Sequence, residues 1–159
     1  MTPGIFYEVT VLKKLLPLCF AVLMAGCSSS SVVNQLPGMN SSPSIEFSKL
    51  YLRGVFNWWE ASAPYRLNEG DEGWYTDIEL IADGQPYDFK VSDKVWTPAQ
   101  TCGAKYQGQH VVALDTVFLV CGSDAQNLQF TPTTTDTYRF TFASASGNEI
   151  RLTITRTPD

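Results

Sequence analysis

"TYRFTFAS", residues 137–144, places a large apolar side chain at every second position. Tyr138, Phe140 and Phe142 fall on one face of an extended chain and Arg139 and Thr141 on the other, the period of a strand with one side in a core. "EIRLTITR", residues 149–156, repeats the pattern with Ile150, Leu152 and Ile154, and "SASGN" before it supplies the Gly and Asn of a tight reversal. Moving outward, "KLYLRGVF", "GWYTDIELIA", "YDFKVSD", "HVVALDTVFLV" and "NLQFTP" read the same way, with "LNEGDEG" and "ADGQP" as turns between them. No amphipathic helical stretch competes. The expected fold is all-β, an immunoglobulin-like antiparallel β-sandwich of seven or eight strands and about 110 residues.

The beginning of the chain has a different character. Lys13 and Lys14, the apolar run "LLPLCFAVLMA" and the small-residue site Met24-Ala25-Gly26-Cys27 read as an export signal over residues 1–26. The apolar run is too short to span a bilayer comfortably. A cysteine directly after Ala-Gly resembles the lipobox of bacterial lipoproteins, although Met24 stands where that family prefers Leu. The resemblance implies cleavage before Cys27, acylation of its thiol and amine with chains such as palmitate and, because Ser28 rather than Asp follows, sorting to the outer membrane. Which leaflet the chain faces stays open, and a plain transmembrane anchor is the competing reading. Residues 27–44, "CSSSSVVNQLPGMNSSPS", are too poor in apolar groups to fold alone and read as a flexible tether. The sandwich is then assigned to residues 45–159, and the whole mature chain is the size of one domain.

Charge and cysteines narrow the possibilities. The formal charge is -5, and -6 once Lys13, Lys14 and Glu8 leave with the signal, so no basic footprint for nucleic acid exists. Of four cysteines, Cys19 leaves with the signal and Cys27 carries lipid, which predicts a disulfide between Cys102 and Cys121 in an oxidising compartment. Closing that loop is worth about 3 kcal/mol in the chain-entropy model. Zinc would need companions that the sequence lacks: His110 is the single histidine and no Cys-x-x-Cys occurs. No metal or cofactor is expected.

Catalysis is not expected either. There is no nucleophile elbow, no His-Glu-x-x-His and no phosphate loop. Glu69, Asp71 and Glu72 sit in a predicted hairpin turn, and His110 opens a predicted strand. A glycosidase would need two carboxylates facing one cleft, and a small sandwich offers little cleft.

The aromatics are unevenly placed. Trp58, Trp59, Trp74 and Trp96 all lie in the first half of the domain, with Tyr65, Tyr75 and Tyr87 among them. Alternation assigns Trp74, with Thr76, Ile78 and Leu80, to the core, and divides Trp58 from Trp59 if the backbone there is extended. Gly54-Val55-Phe56-Asn57-Trp58-Trp59, Leu67, Tyr75, "YDFK" at residues 87–90, Trp96, Asn127-Leu128 and the strands "TYRFTF" and "IRLTIT" resemble, in order and spacing, the glycogen- and starch-binding modules of carbohydrate-binding family 48, most nearly those associated with bacterial pullulanases. The resemblance covers residues 51–155. It implies that Trp59 and Trp96 are platforms for glucose rings, that Lys90 hydrogen-bonds sugar hydroxyls between them, and that Asn127 adds a polar contact with Leu128 beside it. Trp58 is assigned to structure.

Physical chemistry agrees with that division of roles: a pyranose packs its C–H face on an indole while its hydroxyl rim needs donors and acceptors. Lys90 follows Phe89 in an alternating strand, so burial of Phe89 exposes it. Core packing or a loop anchor is the competing reading for both platform tryptophans. The segment from Cys102 to Cys121 is longer and more apolar than the resemblance leads one to expect and is able to reshape or cover the sugar surface. The function read from the sequence is a membrane-anchored, non-catalytic lipoprotein that binds α-glucan or a related oligosaccharide. Its partners are the glycan, the membrane through the lipid, and a glycoside hydrolase or another envelope protein. The rival is an envelope assembly or structural lipoprotein that uses the same aromatics as a protein-interaction patch.

Overall fold

Alternating apolar residues become the core. The computed structural model describes residues 44–157, so the export signal, Cys27 and all but the end of the tether lie outside it. It contains β1 (Tyr51–Gly54), β2 (Asn68–Gly70), β3 (Gly73–Leu80), β4 (Tyr87–Ser92), β5 (Cys102–Gly103), β6 (Gln109–Val111), β7 (Thr116–Cys121), β8 (Leu128–Phe130), β9 (Asp136–Ser144) and β10 (Glu149–Arg156). Short 3-10 turns occur between them, and no α-helix is present among the described residues.

The hydrogen-bonded order is β2-β3-β9-β10-β7-β5-β4-β8-β6, with β1 on the other side of β4. One layer is β2, β3, β9, β10 and β7; the facing layer is β1, β4, β8 and β6. The two-residue β5 pairs with both β7 and β4 and joins the layers. Between them Tyr138, Phe140 and Phe142 of β9 and Ile150, Leu152 and Ile154 of β10 are buried against Phe89, Val91, Leu128 and Phe130. Phe89 and Phe130 meet Phe140 edge to face at 5.3 and 6.0 Å, a favoured aromatic geometry.

The all-β sandwich expected from the sequence is the observed architecture, with ten strands in place of seven or eight. The surplus is β2, β5 and β6, which are two or three residues long and too short to display a period. "HVVALDTVFLV" becomes two strands, β6 and β7, interrupted where Leu114 adopts φ 74°. One ladder is parallel, β6 on β8.

Cys102 and Cys121 form the expected disulfide. They are direct cross-strand partners in the β5–β7 ladder, with Cα atoms 4.0 Å apart. The segment between them supplies β5, β6 and β7 and buries Ala104, Val111 and Leu119, so it is built into the sandwich.

Candidate functional site

The site begins at the end of β1. Leu52 points into the core, so Arg53 points to the outer face, and Gly54 passes close to β4: a Cβ there would lie 2.6 Å from the Asp88 carbonyl oxygen. The chain then turns through Val55–Asn57 in a 3-10 turn. Buried Asn57 holds it: its Oδ1 accepts from the Gly54 N–H at 2.9 Å, and its Nδ2 donates to the carbonyls of Leu52 at 2.9 Å and Glu60 at 3.2 Å. The Trp59 N–H donates to the Gly54 carbonyl at 2.9 Å.

A second turn follows β4. Asp93 accepts from the Thr97 N–H at 2.8 Å and the Thr97 hydroxyl at 2.5 Å. Desolvation would raise the Asp93 pKa, but the bonds from Thr97 and from the backbone of Val95 and Trp96 outweigh it and hold the carboxyl below its ordinary value. Thr97 is held in turn through its carbonyl, which accepts from the Thr101 hydroxyl at 2.9 Å.

Backbone conformation marks these two turns. Trp58 (φ 55°), Trp59 (φ 62°) and Trp96 (φ 61°) adopt the left-handed region, and Leu114 is the remaining non-glycine residue to do so among the described residues. Each costs about 1–2 kcal/mol and persists because its surroundings over-determine it. The result is a ring pair: the Trp59 and Trp96 indoles lie 6.3 Å apart between centroids, with planes at 41°. Trp59 is half-buried and Trp96 is 37% exposed, so Trp96 is not a core residue, while its contact with Arg53 also suits the anchoring of a loop.

Arg53 lies beneath this pair. It is 6% exposed although it faces away from the core, because the two turns cover it. Its Nε donates to the Trp59 carbonyl at 2.7 Å, its Nη1 to the carbonyls of Asp93 at 2.8 Å and Lys94 at 3.4 Å, and its guanidinium carbon stands 3.7 Å from the Trp96 ring centroid. Burial lowers its pKa, with the charge of Asp93 opposing. The sequence reading overlooked this residue. The available signal was a charged side chain in the strand immediately before the Gly-x-Phe-Asn turn.

Lys90 is the cross-strand partner of Arg53 in the β1–β4 ladder and therefore shares its face. Its Nζ donates to the Ala125 carbonyl at 2.6 Å, and burial lowers its pKa. An ammonium has three donors, so two are left for other acceptors. The β4–β8 register runs Tyr87↔Phe130, Asp88↔Gln129, Phe89↔Leu128. Carried one step further it sets half-buried Asn127 in the row of Lys90 and Arg53.

Two assignments are corrected. Leu128 has no exposed surface and pairs with Phe89 inside the core, because alternation sends it inward when Asn127 faces out. It is not available to a ligand. Trp58, assigned to structure, is 85% exposed. The period-two rule fails there because the backbone turns through two consecutive left-handed residues instead of running extended.

The surface is a platform more than a cavity. A separate depression on the molecule lies beside Leu114, Tyr138 and Arg156 and contains no tryptophan. Among the described residues no cluster of three or more His, Cys, Asp or Glu is placed to hold a metal ion. Two tilted indoles are suited to a ligand with a flat apolar face, and the row of Arg53 and Lys90 runs through the same face of the sheet.

Fold and surface together define a class, an all-β sandwich that carries two neighbouring tryptophans on adjoining turns. No protein-family model matches the sequence, and no curated protein matches it. Among solved structures the chain is similar to AmyP-SBD, a starch-binding domain in its ligand-induced structure, with a TM-score of 0.51 and 16% identity over 98% of this chain and 97% of that one. At that identity the likeness is one of fold.

Proposed function

We propose that this chain is a membrane-anchored lipoprotein whose sandwich binds α-glucan or a related oligosaccharide without cleaving it. The observation that carries the reading is the Trp59–Trp96 pair, one tryptophan half-buried and one exposed, with rings 6.3 Å apart on turns held in a strained backbone conformation. A fold shared with a starch-binding domain supports it. Trp59 and Trp96 take successive sugar rings, and Lys90 and Asn127 serve the hydroxyl rim. Anchoring through acylated Cys27, delivery to the outer membrane and association with a glycoside hydrolase or another envelope protein belong to the same proposal.

Two platforms and a few hydrogen bonds on an open face correspond to a dissociation constant in the micromolar-to-millimolar range, about -4 to -8 kcal/mol. Many membrane-bound copies on one polymer would compensate by avidity. A second reading, a protein-interaction patch, is favoured by Trp58 at 85% and Val95 at 76% exposure beside the pair. Native electrophoresis through gels with and without glycogen separates the two. Retarded migration that Trp59→Ala abolishes supports the glucan reading; unchanged migration favours the protein partner, and release of reducing sugar would make the chain a hydrolase.

A further inference from the structure

We infer that Arg53 is the positioning residue of this site: its one buried guanidinium locks the turn carrying Trp59 and the turn carrying Trp96 into a single two-ring platform. The role in sugar contact rests on the carbohydrate reading above; the clamp itself does not.

Among the described residues, the hydrogen bonds that join the 55–59 turn to the 93–96 turn all pass through Arg53, to the carbonyls of Trp59 on one side and of Asp93 and Lys94 on the other. The same group stacks under Trp96 at 3.7 Å. One planar fork thus fixes the carbonyl of the first platform residue, the turn leading to the second and the ring of the second. A lysine, with a compact ammonium, offers no such fork.

The partners of Arg53 are backbone carbonyls and a ring, so what it fixes is the course of the two turns. Arg53 is almost fully buried, and no carboxylate lies within ion-pair distance of it among the described residues. An apolar replacement would leave the carbonyls of Trp59 and Asp93 without their donor, so its loss is expected to cost some stability as well as position. What an apolar side chain does not reproduce is the simultaneous grip on two turns. Arg53 also neighbours Lys90 across the ladder, so clamp and rim donor stand on one rigid row of β1 and β4.

The test uses the full chain in a detergent without a sugar headgroup, as wild type, Arg53→Met, Arg53→Lys, Trp96→Ala and the Arg53→Met/Trp96→Ala double variant. Two close, tilted indoles give an exciton couplet in far-ultraviolet circular dichroism, which reports their mutual geometry. Both Arg53 variants are expected to lose the couplet while still unfolding cooperatively. Their maltoheptaose affinity should fall about tenfold, as for Trp96→Ala, and Arg53→Met should add nothing in the Trp96→Ala background. Should Arg53→Met fail to fold, Arg53→Lys, which keeps the charge and stem, carries the test. A couplet retained in the Arg53 variants, or losses that multiply in the double variant, overturns the inference. A wild type that shows the couplet but ignores maltoheptaose overturns the carbohydrate reading, and with it the role in sugar contact, while loss of the couplet in the variants still establishes the clamp.

Discussion

Trp58 combines two unfavourable features, a left-handed backbone at φ 55° and an indole 85% in water. Glycine accepts that backbone without steric cost, so Trp58→Gly should raise stability by up to about 1 kcal/mol, read as a higher denaturant midpoint. Asp93 supplies a pH signature at the same scale. Its folded pKa lies below its unfolded one, so its contribution is present above the unfolded aspartate value and is lost as pH falls through the folded value. The thermal midpoint should therefore decline below about pH 5, and Asp93→Asn should flatten part of that decline. Trp59, Trp96 and Lys90 could be nominated from sequence because an aromatic or cation in a recognisable order carries its own chemistry, and the structure sets Trp59 beside Trp96 and Lys90 opposite Arg53. Arg53 was not readable: besides the Trp59 carbonyl six residues on, its partners are a carbonyl and a ring some forty residues downstream, which no local pattern reveals. Leu128 was misread for the opposite reason, since adjacency to Asn127 in sequence means opposite faces in a strand.

Among the elements, long strands were legible and short ones were not. β9 and β10 pair over seven positions, Ile150↔Ser144 to Arg156↔Tyr138, and their alternation survives intact from sequence to structure. β2, β5 and β6 are defined by their neighbours, and the break at Leu114 within an unbroken apolar run is a tertiary effect: its N–H donates to the Ile154 carbonyl at 2.8 Å. β5 is the element on which the sandwich closes, and the Cys102–Cys121 bond fastens it to β7 while Val91↔Cys102 pairs it with β4. Reduction, or the double change Cys102→Ala/Cys121→Ala, should cost about 3 kcal/mol, measured by denaturant unfolding with and without reductant. Alkylation of the unreduced chain should leave both of these thiols unlabelled.

For the molecule as a whole, the proposed lipid anchor and the proposed binding platform are separately testable. If Cys27 carries acyl chains, Cys27→Ser should move the chain from the membrane fraction to the soluble fraction, since lipid and not a spanning helix holds it there. The domain itself should keep its unfolding midpoint in that variant, because the change lies outside residues 44–157. The proposed function depends on the Trp59–Trp96 pair meeting a sugar chain. The most direct measurement is a titration of the chain with maltoheptaose followed by tryptophan fluorescence, repeated on Trp59→Ala and Trp96→Ala. A saturable change is expected, with a dissociation constant between micromolar and millimolar that is weakened about tenfold or more in either variant. Emission unchanged by maltoheptaose, or binding that both variants retain in full, would contradict it.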